Sequence, residues 1–136
     1  MEFREATQED FDFVANHSVS RGKVCPDRID YVFALEHEGF PLGIGGFKLM
    51  NYDTAWCWVD LTDLAGGHIR TGYRVLKEWI ESFTEEHGLT RLQATVECDF
   101  DEAIRLVQHL GFKKESIMKK YVDGKDAFMY VWIGGE

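Results

Sequence analysis

The sequence predicts an α/β (α+β) domain: a central mixed, twisted sheet of about six or seven strands, helices on both faces, and a split between the fourth and fifth strands. Three observations carry this. Apolar residues recur at helical spacing in Tyr73, Leu76, Trp79, Ile80 and Phe83, and again in Ala103, Ile104, Leu106, Val107 and Leu110. Short β-rich runs separated by turn residues fill the stretches before, between and after them. The order is a meander, then a strand-helix-strand unit, then a closing hairpin; such a unit is parallel and right-handed.

Phe3 and its neighbours read as a first strand. Thr7 is placed to cap a helix, and Glu9 and Asp10 favour its positive end. Phe11, Val14 and Ala15 give that helix its apolar positions. Periodicity fails between His17 and Arg28, where Gly22 and Pro26 mark a loop or broken helix. Tyr31 to Leu35 and Pro41 to Met50 form a hairpin across residues 36–39. Trp56 to Leu61 is a strand too uniformly apolar for an exposed edge. Leu64 to His68 is a Gly-bearing loop, followed by the long helix from Arg70 to His87, which Gly88 stops. Leu92 to Glu97 alternates as a strand. Asp99 or Asp101 caps the next helix, which ends at Gly111. Phe112 to Tyr121 and Ala127 to Ile133 pair across Asp123-Gly124.

The 136 residues are expected to form a single domain, 1–136, without a linker or repeat. Hydrophobic residues are 45% of the chain, with ten Phe, four Trp and five Tyr. A chain of this length buries roughly two-thirds of its unfolded surface, so it needs no staple. The net charge of −9 disfavours nucleic acid and anionic membrane and suits a cationic partner. Cys25, Cys57 and Cys98 are odd in number and widely spaced, so reduced thiols are expected. His17, His37, His68, His87 and His109 are scattered along the chain, and no metal site is expected. Met1 leads into Glu2 and Arg4, without a signal segment, and no apolar run is long enough to span a bilayer. The expected location is the cytoplasm.

Several motifs stand in a telling order. Gly39-Phe40-Pro41-Leu42-Gly43-Ile44-Gly45-Gly46 forms the early hairpin. Ala103-x-x-Leu106-x-x-x-Leu110-Gly111-Phe112 joins the late helix to a strand, and Tyr121 to Tyr130 closes the chain. Together they resemble the GNAT superfamily of acyl-CoA N-acyltransferases over almost the whole sequence. The early hairpin, the Trp-rich fourth strand and Leu110-Gly111-Phe112 also resemble the GNAT-like proteins of short-tailed phages, including the internal virion protein A family.

The resemblance implies acetyl-CoA as co-substrate, no metal, and transfer of an acyl group to an amine on a small molecule or on a Lys or N-terminus of a basic protein. A homodimer, and for a phage protein a place among virion proteins or in the host cytoplasm, are the further expectations. In this family an Arg/Gln-x-x-Gly-x-Gly/Ala loop holds the pyrophosphate at a helix N-terminus, where unpaired amides and the helix dipole favour anions. Here Gly67, His68, Ile69, Arg70, Thr71 and Gly72 take that place. The last Gly matches, Gly67 replaces Arg or Gln, and Arg70 replaces the middle Gly. Arg70 can grip phosphate with two donors, but its Cβ restricts backbone approach. A plain turn into the helix is the other reading.

Trp58, Val59 and Leu61, with Asp60 between them, occupy the place of the splayed fourth strand that binds pantetheine. Asp60 is then a candidate base, direct or through water, and Glu97 a second. The Tyr that serves as general acid falls by register at Val107, and Phe100 stands where an Asn is common; Tyr121, Tyr73 or Cys98 would have to substitute. These departures leave a non-catalytic GNAT-like interaction protein as the competing reading.

Overall fold

The computed structural model describes residues 1–19 and 30–135, with the side chain of Ile69 excepted. Gly22, Cys25 and Pro26, and most of the stretch read as a loop or broken helix, lie outside the described residues. The elements run β1 Glu2–Glu5, α1 Gln8–His17, β2 Tyr31–His37, β3 Phe40–Leu49, β4 Thr54–Leu61, a 3₁₀ helix Asp63–His68, α2 Ile69–His87, β5 Arg91–Glu97, α3 Asp101–His109, β6 Lys113–Val122 and β7 Lys125–Ile133. The seven strands follow the order β1-β2-β3-β4-β5-β7-β6. The chain gathers into two compact units, Met1–Lys48 with Cys57–Val75, and Leu49–Trp56 with Leu76–Glu136.

In the first unit, β1, β2 and β3 pair antiparallel. Glu38 and Gly39 both take positive φ, 52° and 86°, as a two-residue turn matched to strand twist requires. Val14 of α1, Ala34 of β2 and Ile44 of β3 form a buried cluster, against which Ala6, Phe11 and Trp58 pack. Ala15, expected on the apolar stripe, is exposed, so α1 buries a narrower face. β3 is rich in glycine because its neighbours come close: a Cβ on Gly45 would lie 2.7 Å from the Trp58 carbonyl oxygen, and one on Gly43 2.9 Å from that of Asp60.

The capping predicted at Thr7 is present. Its side chain accepts from the Asp10 amide, and Asp10 accepts from the Thr7 amide at 2.8 Å. Asp10 is buried and also takes two hydrogen bonds from Arg4, at 2.6 and 2.8 Å, while Arg4 Nε donates to Glu36 at 3.2 Å. The Arg4 guanidinium, outweighing the cost of burial, holds the Asp10 carboxyl down from 3.8 to about 2. Because the folded value is depressed, this stability is complete above the unfolded value and is lost as pH falls through the folded one. Urea titrations should therefore show about 2 kcal/mol disappearing between about pH 5 and pH 2, a loss absent in Asp10→Asn. An unchanged acid limb in that variant would contradict the assignment.

The second unit contains the start of β4, paired in parallel with β5 at Thr54–Arg91, Ala55–Leu92 and Trp56–Gln93. β5 pairs antiparallel with β7 from Arg91–Ile133 to Glu97–Ala127, and β7 with β6. Leu92, Ala94 and Val96 are buried and Thr95 exposed, which is the alternation read from the sequence. Asp123 and Gly124 make a second turn with positive φ. β6 stands at the sheet edge, and Lys113, Lys114, Lys119 and Lys120 on it are all exposed.

Two local expectations are corrected. The Leu64–His68 segment is not a loop but 3₁₀ helix, opened by Ala65 N–H donating to the Thr62 carbonyl at 3.1 Å. Its glycines keep ordinary φ and so continue the helical winding into α2. At α3 neither Asp99 nor Asp101 caps: Phe100 is the N-cap residue, without a side-chain bond. Asp101 and Glu102 instead sit in the first turn, where the helix dipole favours them.

Candidate functional site

The end of β4 and the end of α1 meet in the first unit. Ser18 forms a bridge to Thr62, and the Val19 amide donates to the Leu61 carbonyl at 2.9 Å. Thr62 is anchored in turn: its amide and hydroxyl both donate to the Leu42 carbonyl at 2.9 Å. This fixes Asp60, half-buried on β4, so that the Ser18 hydroxyl donates to Asp60 Oδ1. Asp60 Oδ2 receives no hydrogen bond from the described residues. Strand alternation puts Trp58 on the same face as Asp60 and sends Val59 and Leu61 to the opposite face. There Val59 lies beside Gly45 and Leu61 beside Gly43. Trp58 Nε1 is buried and has no hydrogen-bond partner among the described residues.

Three of the five histidines scattered in sequence lie in this unit around the 3₁₀ helix. His37, the last residue of β2, meets His68, the last of the 3₁₀ helix, edge to face at 4.4 Å. His17, the last residue of α1, lies 3.6 Å from Asp63, the first of the 3₁₀ helix. His17 also stacks on Phe13 at 4.3 Å. Sequence reading missed this grouping because it depends on where three different elements end. Closing an element is no signal of it, since His87 and His109 likewise close α2 and α3. Among the described residues no group of His, Cys, Asp and Glu is arranged to hold a metal ion.

The Gly67–Gly72 stretch straddles the junction of the 3₁₀ helix and α2. Gly66, Gly67 and Gly72 share an unusual property: a Cβ on any of them would meet nothing within 4 Å, and none has positive φ. Among the described residues, neither packing nor backbone conformation requires glycine there. Arg70 and Thr71 are exposed, and Arg70 has no partner among the described residues. Arg70 and Thr71 thus present unused side-chain donors at the head of α2, whereas the Gly72 amide is spent on the His68 carbonyl in the first α-helical turn.

Tyr73, on α2, belongs to the first unit, and the other remaining candidates to the second. Glu97 ends β5, half-buried, with Lys125 Nζ 4.0 Å away. Tyr121, near the end of β6, is 52% exposed. Val107 is buried in α3, so the position where the family resemblance expects a Tyr acid is part of the core. Cys98 is a half-buried free thiol. In the first unit, burial pushes the Cys57 thiol up to about 12, which leaves no thiolate near neutral pH.

No family model and no curated protein matches the sequence. Solved structures do match the fold. A variant of spermidine N-acetyltransferase SpeG from Vibrio cholerae superposes with a TM-score of 0.80 at 14% identity, over 98% of this chain and 95% of that one. The ribosomal-protein-S18-alanine N-acetyltransferase from Escherichia coli gives 0.75 at 18% identity, over 97% and 92%. The putative acetyltransferase yncA from Salmonella typhimurium, solved with its cofactor acetyl-CoA, gives 0.75 at 20% identity, over 100% and 95%. With its seven-stranded mixed sheet, parallel at β4–β5, this chain has the GNAT fold.

Proposed function

We propose that the protein is an acyl-CoA-dependent N-acyltransferase that uses acetyl-CoA to acylate an amine. The supporting observation is the set of glycines at the head of α2 that no contact among the described residues requires, in a fold otherwise shared with acetyltransferases. The Arg70 and Thr71 side chains would hold the pyrophosphate, and acetyl-CoA would supply the thioester. Asp60 takes a proton from the acceptor ammonium, freeing the nitrogen lone pair to attack the thioester carbonyl carbon, with Ser18 fixing the carboxylate. Proximity of amine and thioester provides much of the remaining rate. The leaving thiolate takes its proton from solvent or from a residue other than 107, because Val107 has none to give.

Gly72→Ala separates this proposal from a plain turn. Alanine is the better helix residue by about 1 kcal/mol, and the added methyl meets no atom of the described residues within 4 Å. The variant should melt higher than wild type yet bind acetyl-CoA at least about tenfold more weakly, about 1.4 kcal/mol, by calorimetry. Higher stability with unchanged affinity, or no binding by wild type at all, would refute the cradle. The narrower likeness to phage GNAT-like proteins remains the alternative reading, favoured by the buried Val107. It predicts a folded protein that ignores acetyl-CoA and co-purifies with virion proteins.

A further inference from the structure

A groove of about 430 Å³ runs beside α1 to the β2–β3 turn, with Arg4, Glu9, Asp10, Phe13, Glu36 and Phe40 on its walls. That volume suits a small molecule. Its charge is unbalanced, since three carboxylates face one guanidinium and Arg4 is already committed to Asp10 and Glu36. Glu9 is exposed and has no partner among the described residues. Phe40 is 54% exposed, a costly place for a phenyl ring, and its centroid lies 5.7 Å from that of the Phe13 ring. Carboxylates beside exposed aromatic faces suit a cation carried on an apolar stem.

The groove is tied to the proposed reaction centre by α1 itself. Glu9 and Phe13 are one turn apart, and His17, stacked on Phe13, is one turn further. Ser18, which holds Asp60, follows directly. Nine residues of helical rise separate Glu9 from Ser18, about 13 Å. We infer that the groove anchors a second cationic group of the acceptor amine. The preferred acceptor is then a flexible aliphatic chain with positive groups at both ends. This inference rests on Asp60 receiving the proton of the reacting amine, as proposed above.

The test is calorimetric titration of the full chain, without acyl-CoA, with α,ω-diamines of increasing length and with monoamines of equal length. Diamines long enough to span the helix should bind about fivefold to tenfold tighter than the matching monoamines. Phe40→Ala and Glu9→Gln should each remove most of that preference. Both residues are exposed, and an unchanged melting temperature confirms an intact fold. In turnover assays the same variants should raise KM for long diamines and leave kcat unchanged. Equal binding of diamines and monoamines, or a preference that survives both variants, overturns the inference. Because acyl-CoA is absent from the titration, a diamine preference in a protein that fails to bind acetyl-CoA would uphold the groove and sink only the acyl-transfer reading.

Discussion

Gly46→Ala should unfold this protein more readily than any other single methyl addition on the sheet. A Cβ at Gly46 would land inside contact distance of the Tyr31 carbonyl oxygen and 3.1 Å from Val32 Cα, both backbone atoms of β2. A flexible side chain can swing aside, but a strand held by its ladder must move as a whole. Here the ladder includes Val32–Gly46 and Tyr31–Phe47, and the Asp30 amide donates to the Phe47 carbonyl at 3.1 Å. Overpacking against backbone costs about 3 kcal/mol or more. Urea denaturation should show that loss, with Gly66→Ala, which meets open space, as the control. A Gly46→Ala variant within about 1 kcal/mol of wild type would mean that β2 and β3 are not this close.

That glycine illustrates what the sequence could and could not convey. The Gly43-x-Gly45-Gly46 run is readable as part of a hairpin, but only pairing shows that Gly46 answers to β2, while Gly43 and Gly45 answer to β4. Strand and helix order were legible because periodicity and turn residues are local. Helix α2 begins one residue before its expected start, the Asp123-Gly124 turn falls where expected, and of residues 36–39 only Glu38 and Gly39 make the first turn, Glu36 and His37 extending β2. The 3₁₀ segment was not legible, since Gly66-Gly67 reads as a loop until its φ values are known. The candidate site was legible in part. Asp60 could be named from its strand, whereas its Ser18 partner, 42 positions away in the chain, depends on how α1 ends. The His37–His68 contact belongs to the same class, because long-range adjacency leaves no periodic trace.

Asp60→Asn carries the largest expected effect on activity. Asparagine keeps an oxygen for the Ser18 hydroxyl to donate to, so the local structure should survive while the group that accepts a proton is lost. Loss of a positioned base typically costs about 100-fold or more in rate. A fall in kcat/KM of that size, with acetyl-CoA affinity intact, is expected for an alkyl amine that is protonated at assay pH. The deficit should shrink with an acceptor of low basicity, such as an aryl hydrazine, because that nucleophile arrives without the proton Asp60 would remove. A structural role predicts an equal loss for both acceptors, and so does a damaged acyl-CoA site. Glu97→Gln is the internal comparison: Glu97 sits 4.0 Å from Lys125, and its substitution should leave the acceptor dependence as in wild type. If Glu97→Gln shows the selective loss and Asp60→Asn does not, the base has been placed on the wrong strand. If neither variant distinguishes the acceptors, deprotonation is handled by solvent and the Ser18–Asp60 pair serves only to join α1 to β4.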